Sequence, residues 1–286
     1  MSAPAPLWRS EDAAAATGGS TGVEWAATGV SIDSRTLVAG DLFVALRGPN
    51  HDGHRFVGAA FGGGAAAAMV AYDATVENGG PLLRVVDTTA GLTALAEAAR
   101  ARTSARLIAV TGSVGKTGTK EALRLVLADQ GPTHATQGNL NNQWGVPLSL
   151  ARLSAHHRFG VFELGMSAPG ELTPLSRLVR PHVAVITAIA PAHVEFFASV
   201  AEVARAKAEI FDGLDGGVAI IPRDSEHYEL LRDAAVAAGV EHIVSFGGHY
   251  GADVRLLSSM MAADSSLVNA ELAGRRINYA IGAPGP

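Results

Sequence analysis

Residues 107–128, LIAVTGSVGKTGTKEALRLVLA, constrain this chain more than any other stretch. The first four residues are apolar and mostly suited to a β-strand, and a glycine-rich turn follows. From Thr119 onward apolar residues recur at helical spacing, with Leu123, Val126 and Leu127 on one side. A strand that passes through a glycine loop into a helix gathers backbone N–H groups and the positive end of the helix dipole at one spot. Gly112 and Gly115 let the backbone curl there, with Ser113 and Val114 between them. Lys116 adds a formal positive charge, and the Thr117 hydroxyl can ligate a phosphate-bound magnesium ion. Residues 112–117 are therefore a candidate phosphate cradle. The general phosphate-loop signature asks for a glycine five places before Gly115, and Val110 stands there instead. Context and lysine usage carry the reading past that gap. Of 22 Lys+Arg only Lys116, Lys120 and Lys207 are lysines, and two of these three lie in this stretch.

A chain of 286 residues makes one large domain or two ordinary ones, each able to bury a core. Hydrophobic residues reach 48 %, yet no apolar run attains the ~18–20 residues needed to span a bilayer. The N-terminus has no basic region leading into an apolar one, so no signal peptide is expected. A formal charge of −5 without a basic stripe argues against nucleic acid as a partner. The absence of cysteine excludes disulfides, thiolate metal sites and a thiol nucleophile. These features predict a cytoplasmic protein without membrane insertion.

In order along the chain, residues 1–85 read as a small α/β module. It has a helix at residues 10–17 with Ser10 as N-cap, strands around Val30 and Ile32 and at 42–46, a helix and strand across 52–70, and a strand at 82–87. Asp33, Ser34, Arg35 and Thr36 make a polar turn within it. Residues 86–286 read as a second module: a helix at 89–102, the strand–loop–helix, a polar segment at 136–147 and a helix from Pro147. Strands follow at 158–163, 183–189, 217–221 and 243–247, with helices at 199–214 and 224–238 and a hairpin-rich end around Gly274. The apolar runs 159–162 and 183–189 do not alternate, as strands covered on both faces do not, which predicts a mostly parallel sheet. The fold class is α/β.

Chemistry-bearing residues stand at the ends of these strands. Glu163 closes the run 159–162, where a carboxylate beside a phosphate loop suits magnesium or nucleophile placement, although a solvated strand end has the same composition. His193 lies just past the run 183–189; a packed or surface histidine is the plain alternative. Lys207 falls on the apolar stripe of a helix begun by a Ser199–Glu202 capping box, in line with Val200, Val203 and Phe211. A lysine on an inward face is costly unless it is paired, chemically used, or snorkels outward. Asn139, Asn141 and Asn142 crowd the polar segment, which reads equally as a surface loop.

Several blocks, in order, resemble the Mur ligase family. They are S-I-D-S-R-T, G-D-L-F-V-A-L-R-G and D-G-H-R-F in the first module. In the second they are T-G-S-V-G-K-T-x-T-K, G-N-L-N-N-x-x-G-V-P, F-E-L-G-M-S-A-P-G-E-L, A-H-V-E-F-F and V-A-R-A-K-A-E-I-F. The resemblance covers essentially the whole chain. Within the family, D-G-H-R-F and G-N-L-N-N-x-x-G-V-P resemble the branch that joins D-alanyl-D-alanine to UDP-N-acetylmuramoyl-tripeptide.

The resemblance implies an ATP-dependent amide-bond ligase of peptidoglycan precursor synthesis, using ATP and Mg2+ and acting through an acyl phosphate. It implies a small N-terminal UDP-binding domain followed by a central ATP-binding domain of phosphate-loop type. Ser34 and Arg35 would hold the uridine diphosphate part, and residues 112–117 the ATP phosphates, with Lys116 offsetting their charge. Thr117 and Glu163 would ligate one magnesium, and Glu163 with His193 a second. Lys207 resembles the lysine that the family carbamylates, and Asn139, Asn141 and Asn142 would line the muramoyl-peptide site. Family members continue into a third, Rossmann-like domain, expected to be absent from a chain ending at residue 286. A monomer unable to complete ligation alone is the corresponding expectation. Two rivals stand beside it: a nucleotide- or UDP-sugar-binding fragment that never turns over, and a Mur ligase that adds a diamino acid.

Overall fold

The computed structural model describes residues 5–48, 51–76, 79–191, 197–214, 216–261 and 263–282. In chain order the elements are β1 (Trp8–Arg9), α1 (Ser10–Thr17), β2 (Ser20–Thr21), β3 (Ala26–Ala27), β4 (Gly29–Ser31), β5 (Asp41–Val44), a 3-10 turn (Gly53–Phe56), α2 (Val57–Gly62), β6 (Ala67–Ala71), β7 (Leu82–Val85) and α3 (Thr88–Arg102). They continue as β8 (Arg106–Thr111), α4 (Lys116–Ala128), β9 (Thr133–Ala135), α5 (Gly145–Ala151), β10 (Phe159–Glu163), α6 (Leu172–Val179), β11 (Val183–Ile186) and α7 (Val200–Ala208). A 3-10 turn (Glu209–Gly213), β12 (Val218–Pro222), α8 (Tyr228–Ala237), β13 (His242–Gly247), β14 (Val254–Met261), β15 (Ser266–Leu272) and β16 (Arg275–Ile281) complete the described chain.

Contacts divide the chain into two compact units, Met1–Ala105 with Gln130–Gly160, and Arg106–Asp129 with Val161–Pro286. The cut drawn from the sequence at residue 85 differs from this one over α3. Leu92, Leu95, Ala96 and Ala99 give α3 one buried face, which packs on α1, β6 and α5 inside the first unit. The chain then returns at Gln130 to lay α5 beside α3, and no local composition announces that return.

The first unit is built on a sheet in the order β2-β7-β6-β5-β4, parallel except for β2. Period-two alternation sends Leu42, Val44, Met69 and Leu83 into one core with Trp8, Leu92, Leu95 and Leu148. Phe43, Ala45, Ala68 and Val70 enter a second core under α2, with Val57 and Ala60. The returning segment is fastened by polar bonds. Trp8 Nε1 donates to the Ala151 carbonyl at 2.9 Å, and Arg152 Nε to the Val30 carbonyl at 2.7 Å.

In the second unit β8, β11, β12 and β13 run parallel in the order β13-β12-β11-β8, with β10 beyond β8. β14 joins parallel to β13, and the antiparallel pairs β14–β15 and β15–β16 follow, the latter turning at Gly274 with φ +74°. The mostly parallel sheet expected from the apolar runs is present. Two local expectations change. Ser10 is the first helical residue of α1 rather than its cap, which is Arg9, and no side chain caps this helix. Val126 is 62 % exposed. At about 100° per residue the inward line of α4 runs through Lys116, Lys120, Leu123 and Leu127, and Val126 falls roughly a quarter-turn away.

His134 in the first unit sits 3.1 Å from Ser149 Oγ, and its ring lies 5.4 Å from that of His157, tilted by 58°. Desolvation pushes its imidazole down to about 4, and the neighbouring His157 adds to the shift. The folded pKa lies below the unfolded value, so the unfolded chain binds the extra proton between those two limits. Stability is then full above pH 6.5 and is lost as pH falls from there through 4. Urea unfolding followed between pH 7 and 4 should lose roughly 3 kcal/mol from this group, a component that His134→Gln removes.

Candidate active site

The second unit brings the loop after β8 against the end of β11. Gly112 has φ +150°, and a Cβ there would meet Thr187 Oγ1 at 2.0 Å and the Ala188 amide nitrogen at 3.1 Å, so no side chain fits. Gly115 holds φ +83° at the N-cap of α4. Val110, where the general signature has glycine, is a buried residue inside β8 paired with Val185. The turn starts only at Gly112, which removes any need for flexibility at Val110.

Hydroxyls brace the loop. Thr187 Oγ1 donates to the carbonyls of Val114 at 2.6 Å and Thr111 at 3.2 Å. Ser113 Oγ donates to the Ala190 carbonyl at 2.9 Å and accepts the Ala190 N–H at 3.0 Å, while the Ser113 N–H meets the Ala188 carbonyl at 2.8 Å. Thr187 was missed in the sequence; the only hydroxyl in the apolar run 183–189 was its signal. The first helical bond of α4 runs from Thr119 N–H to Gly115 O at 2.9 Å, so the amides of Lys116, Thr117 and Gly118 have no helical acceptor. Lys116 Nζ donates to the Gly112 carbonyl at 2.7 Å.

Thr117 Oγ1 donates to Glu163 Oε2 at 2.9 Å, and Glu163 is buried at the end of β10. Two hard oxygens thus meet at the mouth of the loop, the donor chemistry that magnesium takes. Among the described residues no group of three or more His, Asp or Glu is gathered as a metal centre. Lys207 is 2 % exposed, on the inward face of α7 with Val203 and Ala204. Burial first, and the charge of Lys116 second, push its amine down to about 8. The capping box that starts α7 has its two halves: Ser199 Oγ accepts the Glu202 N–H at 3.3 Å, and Glu202 Oε2 accepts the Ala198 N–H at 2.9 Å. Lys120 is also buried, beside Glu121 Oε1 at 3.1 Å. His193 lies outside the described residues.

The remaining candidates belong to the first unit. Arg35 pairs with Asp33, Nη2 to Oδ2 at 2.6 Å and Nε to Oδ1 at 2.9 Å, which holds the Asp33 carboxyl at about 2. Ser34 is half-buried between them. In the D-G-H-R-F block, Asp52 Oδ1 accepts from His54 N–H at 3.0 Å and meets His54 Nδ1 at 2.5 Å, while His54 Nε2 accepts the Ala71 N–H at 3.0 Å. These side chains, with Arg47, Arg55 and Asp73, line a cleft of about 560 Å³. Asn142 Oδ1 accepts the N–H groups of Trp144 at 3.2 Å and Gly145 at 3.0 Å, starting α5. Asn139 is exposed and Asn141 half-buried.

Comparison with known proteins gives these features a context. Residues 110–285 match the Mur ligase middle domain, and residues 26–103 match the Mur ligase family catalytic domain. The UDP-N-acetylmuramoyl-tripeptide–D-alanyl-D-alanine ligase of Escherichia coli (strain K12) is 42% identical over 200 residues, covering 70% of this chain and 44% of that protein. MurF from Acinetobacter baumannii superposes with a TM-score of 0.83 at 32% identity, over 98% of this chain and 62% of the other. MurF ligase from Thermotoga maritima, solved in complex with ADP, gives 0.73 at 27% identity over 89% and 58%. The chain spans about half the length of the curated relatives it matches. No helix among the described residues is long and apolar enough to cross a membrane.

The depressed Lys207 amine has a stability consequence. Below pH 8 both folded and unfolded chains hold its proton and the fold bears the full cost of a buried charge. Between 8 and 10.5 the unfolded chain binds the extra proton, so stability rises with pH. In carbon-dioxide-free buffer Lys207→Met should therefore be more stable than the parent at pH 7, by roughly 2 kcal/mol. The difference should shrink as unfolding is followed toward pH 10.

Proposed function

The chain belongs to the Mur ligase family, and from that premise we propose that it serves ATP-dependent ligation of D-alanyl-D-alanine to UDP-N-acetylmuramoyl-tripeptide. The observation that carries the reading is the Thr117 hydroxyl against the Glu163 carboxylate at the mouth of a phosphate loop, with the Lys207 amine in the field of Lys116. A cytoplasmic location goes with it, because ATP is the co-substrate.

In this reaction the terminal tripeptide carboxylate attacks the γ-phosphorus of ATP and the bond to ADP breaks. The dipeptide amine then attacks the acyl carbon, phosphate leaves, and the nitrogen gives up a proton. The residues' share is to bind, orient and neutralise charge. The free amides that open α4 receive phosphate oxygens, and Lys116 exchanges the Gly112 carbonyl for a phosphate. Thr117 and Glu163 would hold one magnesium ion, and Glu163 with His193 a second. A bound magnesium offsets the repulsion between the two anionic reactants. Lys207 acts as its carbamate: only a neutral amine captures carbon dioxide, and a value near 8 leaves about a tenth of the amines neutral at pH 7. In the first unit Arg35 exchanges Asp33 for the uridine diphosphate, with Ser34 beside it. Asn139 and Asn141 face the muramoyl peptide, and Asn142 contributes its amide nitrogen, its oxygen being committed to α5.

Calorimetric titration should find MgADP binding that Lys116→Ala weakens at least about tenfold, close to 1.4 kcal/mol. Arg35→Ala should weaken the UDP-linked tripeptide and leave MgADP untouched. ADP release with that tripeptide and D-alanyl-D-alanine supports the assignment. Release only with a diamino acid and its own UDP-linked acceptor would sink it, and binding of both nucleotides without release would favour a non-catalytic binding role. With 13C-bicarbonate, one carbamate resonance is expected, missing from Lys207→Arg.

A further inference from the structure

The turn that follows α7 carries a carboxylate that none of these roles uses. Glu209 Oε1 accepts the Gly170 N–H at 2.6 Å, and Oε2 accepts the N–H groups of Leu172 and Thr173 at 3.1 and 3.2 Å. Leu172 and Thr173 open α6, and the residue at its N-cap, Glu171, gives no side-chain cap. Glu171 instead turns Oε2 to the N–H groups of Ser167 and Ala168, at 2.7 and 3.3 Å. The cap for α6 thus comes from a carboxylate 36 to 39 residues further along the chain, placed where both the free amides and the helix dipole favour an anion.

The same seam holds further bonds. Thr173 Oγ1 donates to Asp212 Oδ2 at 2.6 Å. The Ser176 hydroxyl donates to the Ile210 carbonyl and accepts the Gly213 N–H at 3.1 Å. Gly213 lies so close that a Cβ would meet the Ser176 carbonyl oxygen at 2.1 Å. Two segments meet here: the one leaving Glu163 and the one leaving Lys207. Glu209 stands two residues after Lys207, at the point where α7 tightens into the 3-10 turn Glu209–Gly213.

We propose that Glu209 is a positioning residue, whose carboxylate ties residues 170–173 to the C-terminal end of α7 and thereby keeps the Lys207 amine at its buried place. The proposal rests on the reading of Lys207 as a site residue. Glu209 acts through Lys207 and touches no reacting atom. Its three acceptor bonds are charge-assisted, and losing them strands three amides at the start of α6. Glutamine at this position keeps one acceptor oxygen, whereas alanine keeps none.

The test is competitive acetylation with acetic anhydride, read by mass spectrometry on the whole chain, which has three lysines. Lys120 serves as the internal control, because it is as buried as Lys207 but stands on α4. Glu209→Ala should raise labelling of Lys207 relative to Lys120 about fivefold, and Glu209→Gln less than about twofold. Labelling of both lysines rising together would mean that Glu209 only stabilises the unit, and would overturn the proposal. So would an unchanged ratio in Glu209→Ala, or equal ratios in the two variants. Should Glu209→Ala fail to fold, Glu209→Asp retains the charge but withdraws the oxygens by one methylene. Exposure of Lys207 alone then supports the proposal, and continued protection refutes it. MgADP titration of the parent chain is run alongside. Absent binding with the expected labelling removes the ligase reading and leaves the positioning role standing; normal binding with unchanged labelling removes the positioning role alone.

Discussion

The approach of Gly112 to Thr187 is the contact on which the second unit's chemistry depends. With no side chain at Gly112, the loop after β8 can lie on the end of β11, where Thr187 and Ser113 exchange bonds with its backbone. That fixes where α4 begins, and so where its uncapped amides, Lys116 and Thr117 stand. Glu163 reaches Thr117 because β10 lies next to β8, and the Leu164 N–H extends that pairing to the Val110 carbonyl. A bulkier residue at position 112 would displace the loop from its brace before altering any charge. The site is therefore set by a steric constraint between two strands, with the polar groups arranged upon it.

How far the sequence disclosed this depends on the range over which each signal acts. Strands with unbroken apolar runs, such as β10 and β11, were legible because burial on both faces dictates composition locally. The Lys207 stripe was legible for the same reason, since helical spacing alone puts that lysine inward, and it is buried. Val126 was misplaced because three apolar residues near one another did not determine which line of α4 faces in; buried Lys120, a polar residue, marks that line. The return of the chain into the first unit was invisible. Trp8 to Ala151 and Arg152 to Val30 are bonds between distant positions, and neither partner is unusual in its own neighbourhood.

Motif letters divide into those that shape backbone and those whose side chains the local path leaves unused. In G-N-L-N-N-x-x-G-V-P, Gly145 packs so closely on Leu140 that a Cβ would meet its carbonyl carbon at 2.4 Å, and Asn142 spends its oxygen on the start of α5. In D-G-H-R-F, Gly53 clears the Leu46 backbone, and Asp52 and His54 bond to the chain itself. Such blocks identify a family because they specify a local path. Asn139 and Arg55 stay exposed, and that path does not consume their side chains.

The electrostatics of the second unit lead one step further. Lys116 and Lys207 repel, and both burial and that repulsion disfavour the charged form of Lys207. A hydrophobic residue at position 207 would avoid the cost, so the retained amine has to gain something from its surroundings. Carbon dioxide addition would reverse the sign of the group, turning repulsion from Lys116 into attraction. Such a reversal is effective only if the nitrogen cannot swing out to solvent, where a charged lysine would otherwise escape. Long side chains reach water by moving the last few methylenes. A rigid end to α7 limits that escape, and the bonds from Glu209 to the opening amides of α6 supply the rigidity. The chemistry open to a buried lysine is thus set by how firmly the backbone beneath it is held.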